Sequence, residues 1–386
     1  MIHMLFFLRE AVDAKLRKNI GCSRPRARPG QTAVYFSVSL PYMEKPREHL
    51  FGKTREELDN IVAGYGWPAY TSRQIFQWLY GHYADHPAQM SNLPAKVRRI
   101  LSEHFEMGCS PPSSVSVSAD GTKKYLFAGR RGGFIESAYI PEGKRHTLCL
   151  STQFGCRMGC VFCMTGRQGF QGNLDCGELL NQVRGLPERG LLTNIVYMGM
   201  GEPLDNTAAV TDSLNILCSA DGPGMSPRRI TVSTIGIVAT LREFMEKTQC
   251  RLAISLHSPF EEERSRLVPA SKANPLSELI PLIRNFPVEK HRRISFEYIV
   301  FGGLNHSPGH ARAMARLLNG IRCRINLIAF HAIAGSPLKP PAIPDMEAFR
   351  AALEAKGLPT TIRRSRGEDI QAACGLLSTL AGREAG

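Results

Sequence analysis

The chain has 386 residues, 43% of them hydrophobic and 21% charged, which suits a soluble globular protein with one large domain and a smaller one. Lys and Arg exceed Asp and Glu by 14, a surplus that fits a polyanionic partner such as nucleic acid. Apolar runs such as LLTNIVYMGM are too short to span a membrane, and the start MIHMLFFLRE lacks the basic region of a secretory signal. The 11 cysteines are too sparse for a disulfide scaffold, so a cytoplasmic protein with no membrane partner is expected.

Residues 1–42 carry a basic Pro/Gly-rich run, Arg24 to Gly30, without apolar periodicity, and are expected to be disordered. From Met43 the pattern turns helical. Thr54 and Glu57 have the spacing of a capping box, and further helices are predicted over Arg73–Tyr83 and Ala95–Phe105, making residues 43–110 a helical accessory domain. SSVSVS, the turn Asp120-Gly121 and KKYLFA predict a hairpin, and FIESAYI a third strand ending near Pro141. Strands and helices then alternate. Strands are predicted at His146–Ser151, Asn194–Gly199, Arg229–Thr234, Arg251–Leu256, Ile294–Val300 and Arg324–Phe330, with helices such as Glu178–Arg189, Thr207–Cys218 and Pro275–Arg284 between them. This is an α/β pattern: a parallel sheet of six strands curled into a partial barrel. Residues 111–345 hold the β extension and barrel, and 346–386 a C-terminal segment.

The unusual residues cluster where these strands end. Cys156, Cys160 and Cys163, spaced C-x3-C-x2-C, follow the first barrel strand, and Gly201-Glu202-Pro203 follows the second. Ser233 ends the third, Ser255-Leu256-His257 the fourth; Asn305 and His306 follow the fifth, and His331 the sixth. The C-terminal ends of barrel strands are where active sites lie. Taken singly, Ser233 and Ser255 read equally well as strand-end hydroxyls, and His257 as a satisfied polar residue. Taken together on one rim they favour binding of a polar cofactor. A structural zinc site wants four ligands, often in two separated pairs. Three thiolates on one loop would instead leave one iron of a cubane cluster open to a ligand.

The triplet resembles the signature of radical S-adenosylmethionine enzymes. There the open iron holds the cofactor's amino and carboxylate groups, and one electron releases a 5′-deoxyadenosyl radical. More widely, "TLCLSTQFGCRMGCVFC", "MGMGEPLDN", "SPRRITVSTIG", "LAISLHSPFEEERSRLVPA", "SFEYIVFGGLN", "RINLIAFH" and "TTIRRSRGEDIQAACG" resemble the RlmN/Cfr family of radical methyltransferases, and most of all its RlmN branch. That branch methylates adenine C2 in 23S rRNA at the peptidyl transferase centre and in certain tRNAs next to the anticodon. The Cfr branch methylates C8 of the same ribosomal adenosine.

The resemblance implies one [4Fe–4S] cluster on Cys156, Cys160 and Cys163. It implies two S-adenosylmethionines per turnover, with cofactor contacts from Gly201, Glu202, Ser233, Ser255, Leu256, His257 and His331. Glu202 would hold the cofactor's ammonium. Cys374 would carry a methyl group as an S-methyl and add to the RNA as a methylene radical, and Glu136 would accept the proton. Cys149 would then attack the sulfur of the adduct, forming a disulfide with Cys374 and releasing methylated RNA. Without the resemblance, Cys149 reads as a small core residue, Glu136 as an outward charge and Cys374 as inert. The implied partners are 23S rRNA and tRNA, with an electron donor such as flavodoxin or ferredoxin, acting on a monomer. Two departures stand out: His331 sits where many relatives have Asn, and residues 1–42 have no counterpart. Lys123, Lys124, Arg130, Arg131, Lys144 and Arg145 are expected to touch phosphates. The competing classes are a radical enzyme for a small metabolite and a zinc-stapled RNA-binding module.

Overall fold

Ten strand-forming runs assemble into one sheet in a computed structural model that describes residues 47–287 and 294–379. The expectation of disorder for residues 1–42 falls outside the described residues. In chain order the strands are β1 (Ser114–Val117), β2 (Lys123–Ala128), β3 (Phe134–Glu142), β4 (Arg145–Leu150), β5 (Asn194–Tyr197), β6 (Ile230–Thr234), β7 (Arg251–Ser255), β8 (Ile294–Val300), β9 (Cys323–Ala329) and β10 (Thr360–Arg363). Their spatial order is simply β10 to β1. Pairs from β1 to β4 are antiparallel, and every pair from β4 to β10 is parallel.

The connections explain the change. Short turns join β1 to β2 and β3 to β4, and a tight turn can only reverse the chain. Each later connection carries a helix, which returns the chain to the same end of the sheet: Cys176–Arg184, Thr207–Cys218, Val238–Lys247, Leu276–Asn285, Pro308–Leu317 and Ile343–Glu354. Parallel strands covered on both faces are apolar throughout. In β8, ISFEYIV, every position except Ser295 is buried. The six predicted strands are β4 to β9. The seventh, β10, escaped because TTIR is four residues long, half exposed and at the sheet edge, so it needs no apolar run.

The helical region precedes the sheet. Thr54 Oγ1 accepts from Glu57 N (3.2 Å) and Glu57 Oε2 from Thr54 N (2.8 Å), the capping box that starts Arg55–Gly64. A second helix, Tyr70–Phe76, continues as a π turn to Gly81, and a third spans Ala95–His104. Leu58, Leu79 and Leu101 are fully buried in the same apolar cluster as Ile195 of β5, so these helices share the core of the sheet.

After β10 the chain runs on as an irregular strap that is clasped to the β1–β2 turn. Asp369 accepts from Ser118 Oγ (2.6 Å) and Ala119 N (3.1 Å), and Asp120 from Gly367 N (3.0 Å). Partial burial alone would raise the Asp120 carboxyl, but bonds from Thr122, Gly367 and Ser118 outweigh it and hold it down at about 2. A depressed carboxyl stabilises above its unfolded value of about 3.9 and stops doing so as pH falls through its folded value of about 2. Over that window the strap should release while the sheet persists. Hydrogen exchange checks this: amides of Gly367 and Ala372 should lose protection before those of β8, and their full retention at pH 2 would refute the clasp.

Candidate active site

The site grows from the junction of the first two parallel strands. Beyond β4 and β5, Gly199 N donates to Leu150 O (2.8 Å), Thr152 N to Met200 O (2.7 Å) and Glu202 N to Gln153 Oε1 (2.9 Å). Gln182, from the crossover helix Cys176–Arg184, binds both Ser151 N (2.9 Å) and Ser151 O (2.9 Å). The cysteine loop starts here. At Gly155, φ is +69°, and a Cβ there would stand 1.6 Å from Gly169 O; only glycine closes the loop. Gly201 is equally confined, with φ +99° and a virtual Cβ 2.6 Å from Gln153 Cβ.

Two other segments hold the loop. Val161 N donates to Leu267 O (3.1 Å) and Ala270 N to Met158 O (3.3 Å). From the strap, Gly375 O accepts from Met164 N (2.8 Å) and Leu377 O from Thr165 Oγ1 (2.6 Å). Cys156, Cys160 and Cys163 then line a cavity of 150 Å³. The three cysteines share the wall of this one pocket. Burial pushes Cys156 up to about 12 and raises Cys160 and Cys163 as well.

The same pocket collects Gly201, Glu202, Ser233, Ser255 and His257. Glu202 is buried, and its oxygens accept from Leu204 N (3.0 Å) and Ile235 N (3.0 Å); burial prevails over these bonds and raises its carboxyl to about 7. His257 accepts from Ile299 N (3.0 Å) through Nδ1, and burial lowers it to about 3, so the ring is neutral. Asn305 is fully buried behind it, donating to His257 O and Ile299 O (2.8 Å each). His306 instead faces Asp345 and Phe301 O. Leu256 lines neither cavity; its amide donates to Glu297 O (3.0 Å) within the sheet.

A second cavity of 550 Å³ adjoins the first, and Cys163, Glu297, Arg363 and Cys374 belong to both walls. Cys149, on β4, lines the larger one together with Cys374 on the strap, and both are free thiols. Burial first, and the nearby Cys374 second, push Cys149 up to about 12. His331 lines this larger cavity, bonded to Ser365 Oγ (2.6 Å) and facing Glu368 (3.4 Å). Glu136 lines neither cavity. It is buried between Lys124 Nζ (2.9 Å) and the amide of Ser378 (2.9 Å), where it anchors the strap.

Three of the expected phosphate contacts are internal: Lys123 pairs with Glu188 (2.6 Å), Lys124 with Glu136, and Arg130 with Asp175 (3.1 Å). Glu188 and Asp175 are distant in sequence from their partners, and Glu136 lies on the strand next to Lys124. The cations that do line the larger cavity include Arg145, Arg324, Arg363 and Arg364. Sequence reasoning also missed Glu297. It is 4% exposed; Oε1 accepts from Ser295 Oγ (2.9 Å) and Asn326 Nδ2 (2.7 Å), and Oε2 has no partner. A carboxylate in the middle of the apolar run ISFEYIV was the available signal.

The chain is similar to known proteins over most of its length. The radical SAM superfamily matches residues 150–315, and the ribosomal RNA large subunit methyltransferase N-terminal domain residues 48–107. A probable dual-specificity RNA methyltransferase RlmN from Parabacteroides distasonis is 51% identical over 333 residues, 86% of this chain and 97% of the relative. The dual-specificity RNA methyltransferase RlmN of Anaeromyxobacter dehalogenans is 40% identical, covering 85% and 91%. A crystal structure of a radical SAM methyltransferase from Sphaerobacter thermophilus is similar with a TM-score of 0.79 at 39% identity, covering 86% of this chain and 99% of that one.

Gly155→Ala tests the loop. The φ strain alone costs about 1–2 kcal/mol, and the clash with Gly169 O adds to it. The variant should keep its circular dichroism yet lose bound iron and be cut faster by trypsin after Arg157; wild-type iron content would refute the reading.

Proposed function

The chain belongs to the RlmN family of radical SAM RNA methyltransferases, and from that premise we propose that it methylates C2 of an adenosine in 23S rRNA and of the adenosine 3′ to the anticodon in certain tRNAs. Cfr-like methylation at C8 is not favoured, because the similar proteins that span the chain carry the RlmN name. The single observation that carries the reading is the shared wall. Cys374 borders both the pocket of the cysteine triplet and the larger cavity that holds Cys149.

Cys156, Cys160 and Cys163 would hold one [4Fe–4S] cluster, and Glu202 the ammonium of S-adenosylmethionine, with Gly201, Ser233, Ser255 and His257 around it. When bound, cluster and cofactor supply a 5′-deoxyadenosyl radical. Cys374 would accept a methyl group from a first S-adenosylmethionine, give up a hydrogen atom of that S-methyl group to the radical supplied with a second, and bond through the resulting methylene carbon to adenine C2, the adduct's unpaired electron returning to the cluster. Two stages are needed because adenine C2 is electron-poor and does not attack a sulfonium methyl. Glu136 would take the proton from the ring; because it lines neither cavity and is held by Lys124 and Ser378, those bonds would have to open first. Cys149 then attacks the Cys374 sulfur as a thiolate, breaking the bond to the RNA carbon and forming the disulfide. A thiol pushed to about 12 needs help to ionise, and the Arg363 guanidinium, whose charge favours the Cys149 thiolate, is on hand. Arginines of the larger cavity would receive the RNA backbone. An electron donor of the flavodoxin or ferredoxin class would act on a monomer.

Mass spectrometry of 23S rRNA and tRNA from cells with and without the gene tests the function. A methyl group at adenine C2 that vanishes with the gene is expected, and one at C8 would refute it. The cysteine roles separate by variant. Cys149→Ala should stall with RNA covalently bound through Cys374, seen as an RNase-sensitive shift on a denaturing gel, and Cys374→Ala should bind none. Normal turnover by Cys149→Ala would show the assignment to be wrong.

A further inference from the structure

Arg264 is the largest fully buried side chain of the protein among the described residues, with 0% exposure. It lies in the helix Glu261–Leu267 just after β7. Its guanidinium donates to three backbone carbonyls: Asn274 O (3.2 Å) from Nη1, and Ile235 O (2.6 Å) and Ser255 O (3.3 Å) from Nη2. Nε has no partner, and no carboxylate among the described residues forms an ion pair with it. A buried cation left to carbonyl dipoles alone is costly, and such charges are normally matched by an anion.

The helix that carries Arg264 packs against the cysteine loop. Leu267, at the end of the same helix, accepts from Val161 N within the triplet, and Arg264 O accepts from Val268 N (2.7 Å). Cys156 and Cys160 pack in one cluster with Ile235, Leu267 and Val268. Burial and the neighbouring thiols raise Cys160, and Arg264 is the cation that opposes them. Glu261 adds its field from the exposed start of the helix, where its carboxylate binds Ser277 N.

We propose that Arg264 is a positioning residue for the iron–sulfur site, and that its buried charge stabilises the reduced state of the cluster and so sets its reduction potential. This rests on the assignment of Cys156, Cys160 and Cys163 as cluster ligands. Reduction adds one electron, delivered by the low-potential protein donor, to a site already made negative by three thiolates. A fixed cation bonded to Ile235 O, on the wall of the triplet's pocket, offsets that gain in negative charge, and excluded water makes it act at low dielectric. Its bonds to Ile235 O and Ser255 O also tie down the strand ends that carry Ser233 and Ser255.

The test is an EPR-monitored redox titration of the full-length protein, reconstituted anaerobically, as wild type, Arg264→Met and Arg264→Lys. Met keeps the length and removes the charge. At a fixed potential the ratio of reduced to oxidised cluster should fall on the order of tenfold, about 59 mV in midpoint for a one-electron couple. A midpoint unchanged in a fully loaded Arg264→Met protein would overturn the proposal. If that variant does not load a cluster, Arg264→Lys decides, since it keeps the charge while losing the fork of bonds. A loaded Lys variant with a midpoint near wild type supports the proposal, and one that is unloaded, or lowered like a neutral replacement, overturns it. Absence of a cluster signal from wild type would instead sink the assignment of the cysteine triplet.

Discussion

The hydrogen bonds that lock Leu150–Gln153 to Gly199–Glu202 carry the rest of the site. They join the point where the cysteine loop leaves β4 to the point where the Gly-Glu-Pro turn leaves β5. Both segments run where backbones nearly touch, and a side chain at Gly155 or Gly201 would collide with its neighbours. Because the parallel strands are buried on both faces, neither can slide to relieve a misfit. The distance between the thiol triplet and Glu202 is therefore a property of the sheet, not of a flexible loop.

Burial then does the chemical tuning. It raises the triplet thiols and Cys149, raises Glu202 and keeps His257 neutral. Each shift disfavours a lone charge and so favours charge that arrives with a partner: thiolate with metal, carboxylate with ammonium. Arg264 is the reverse case, a permanent cation in the same dry layer. The open oxygen of Glu297 adds an unmet acceptor between the two cavities.

The strap that carries Cys374 obeys different physics. It has no strand or helix and is held at discrete points: Asp120 and Asp369 at one end, Glu136, Met164 and Thr165 at the other. No helix among the described residues is long and apolar enough to cross a membrane.

Much of this was legible in the residues. Apolar runs of β-branched residues between helical periods give β4 to β9 and their direction, because a buried parallel strand leaves no other pattern. The C-x3-C-x2-C spacing and its place after β4 depend on local chain geometry alone, as do the Thr54–Glu57 box and the Asp120-Gly121 turn. What the sequence could not settle were pairings between distant segments. Lys123 and Arg130 look like solvated charges until Glu188 and Asp175 meet them. β10 is a strand only because β9 offers an edge. Glu136 faces the strap, His331 the larger cavity, and Arg264 the back of the cysteine loop, because each depends on contacts between parts of the chain far apart in sequence, and only folding brings those parts together.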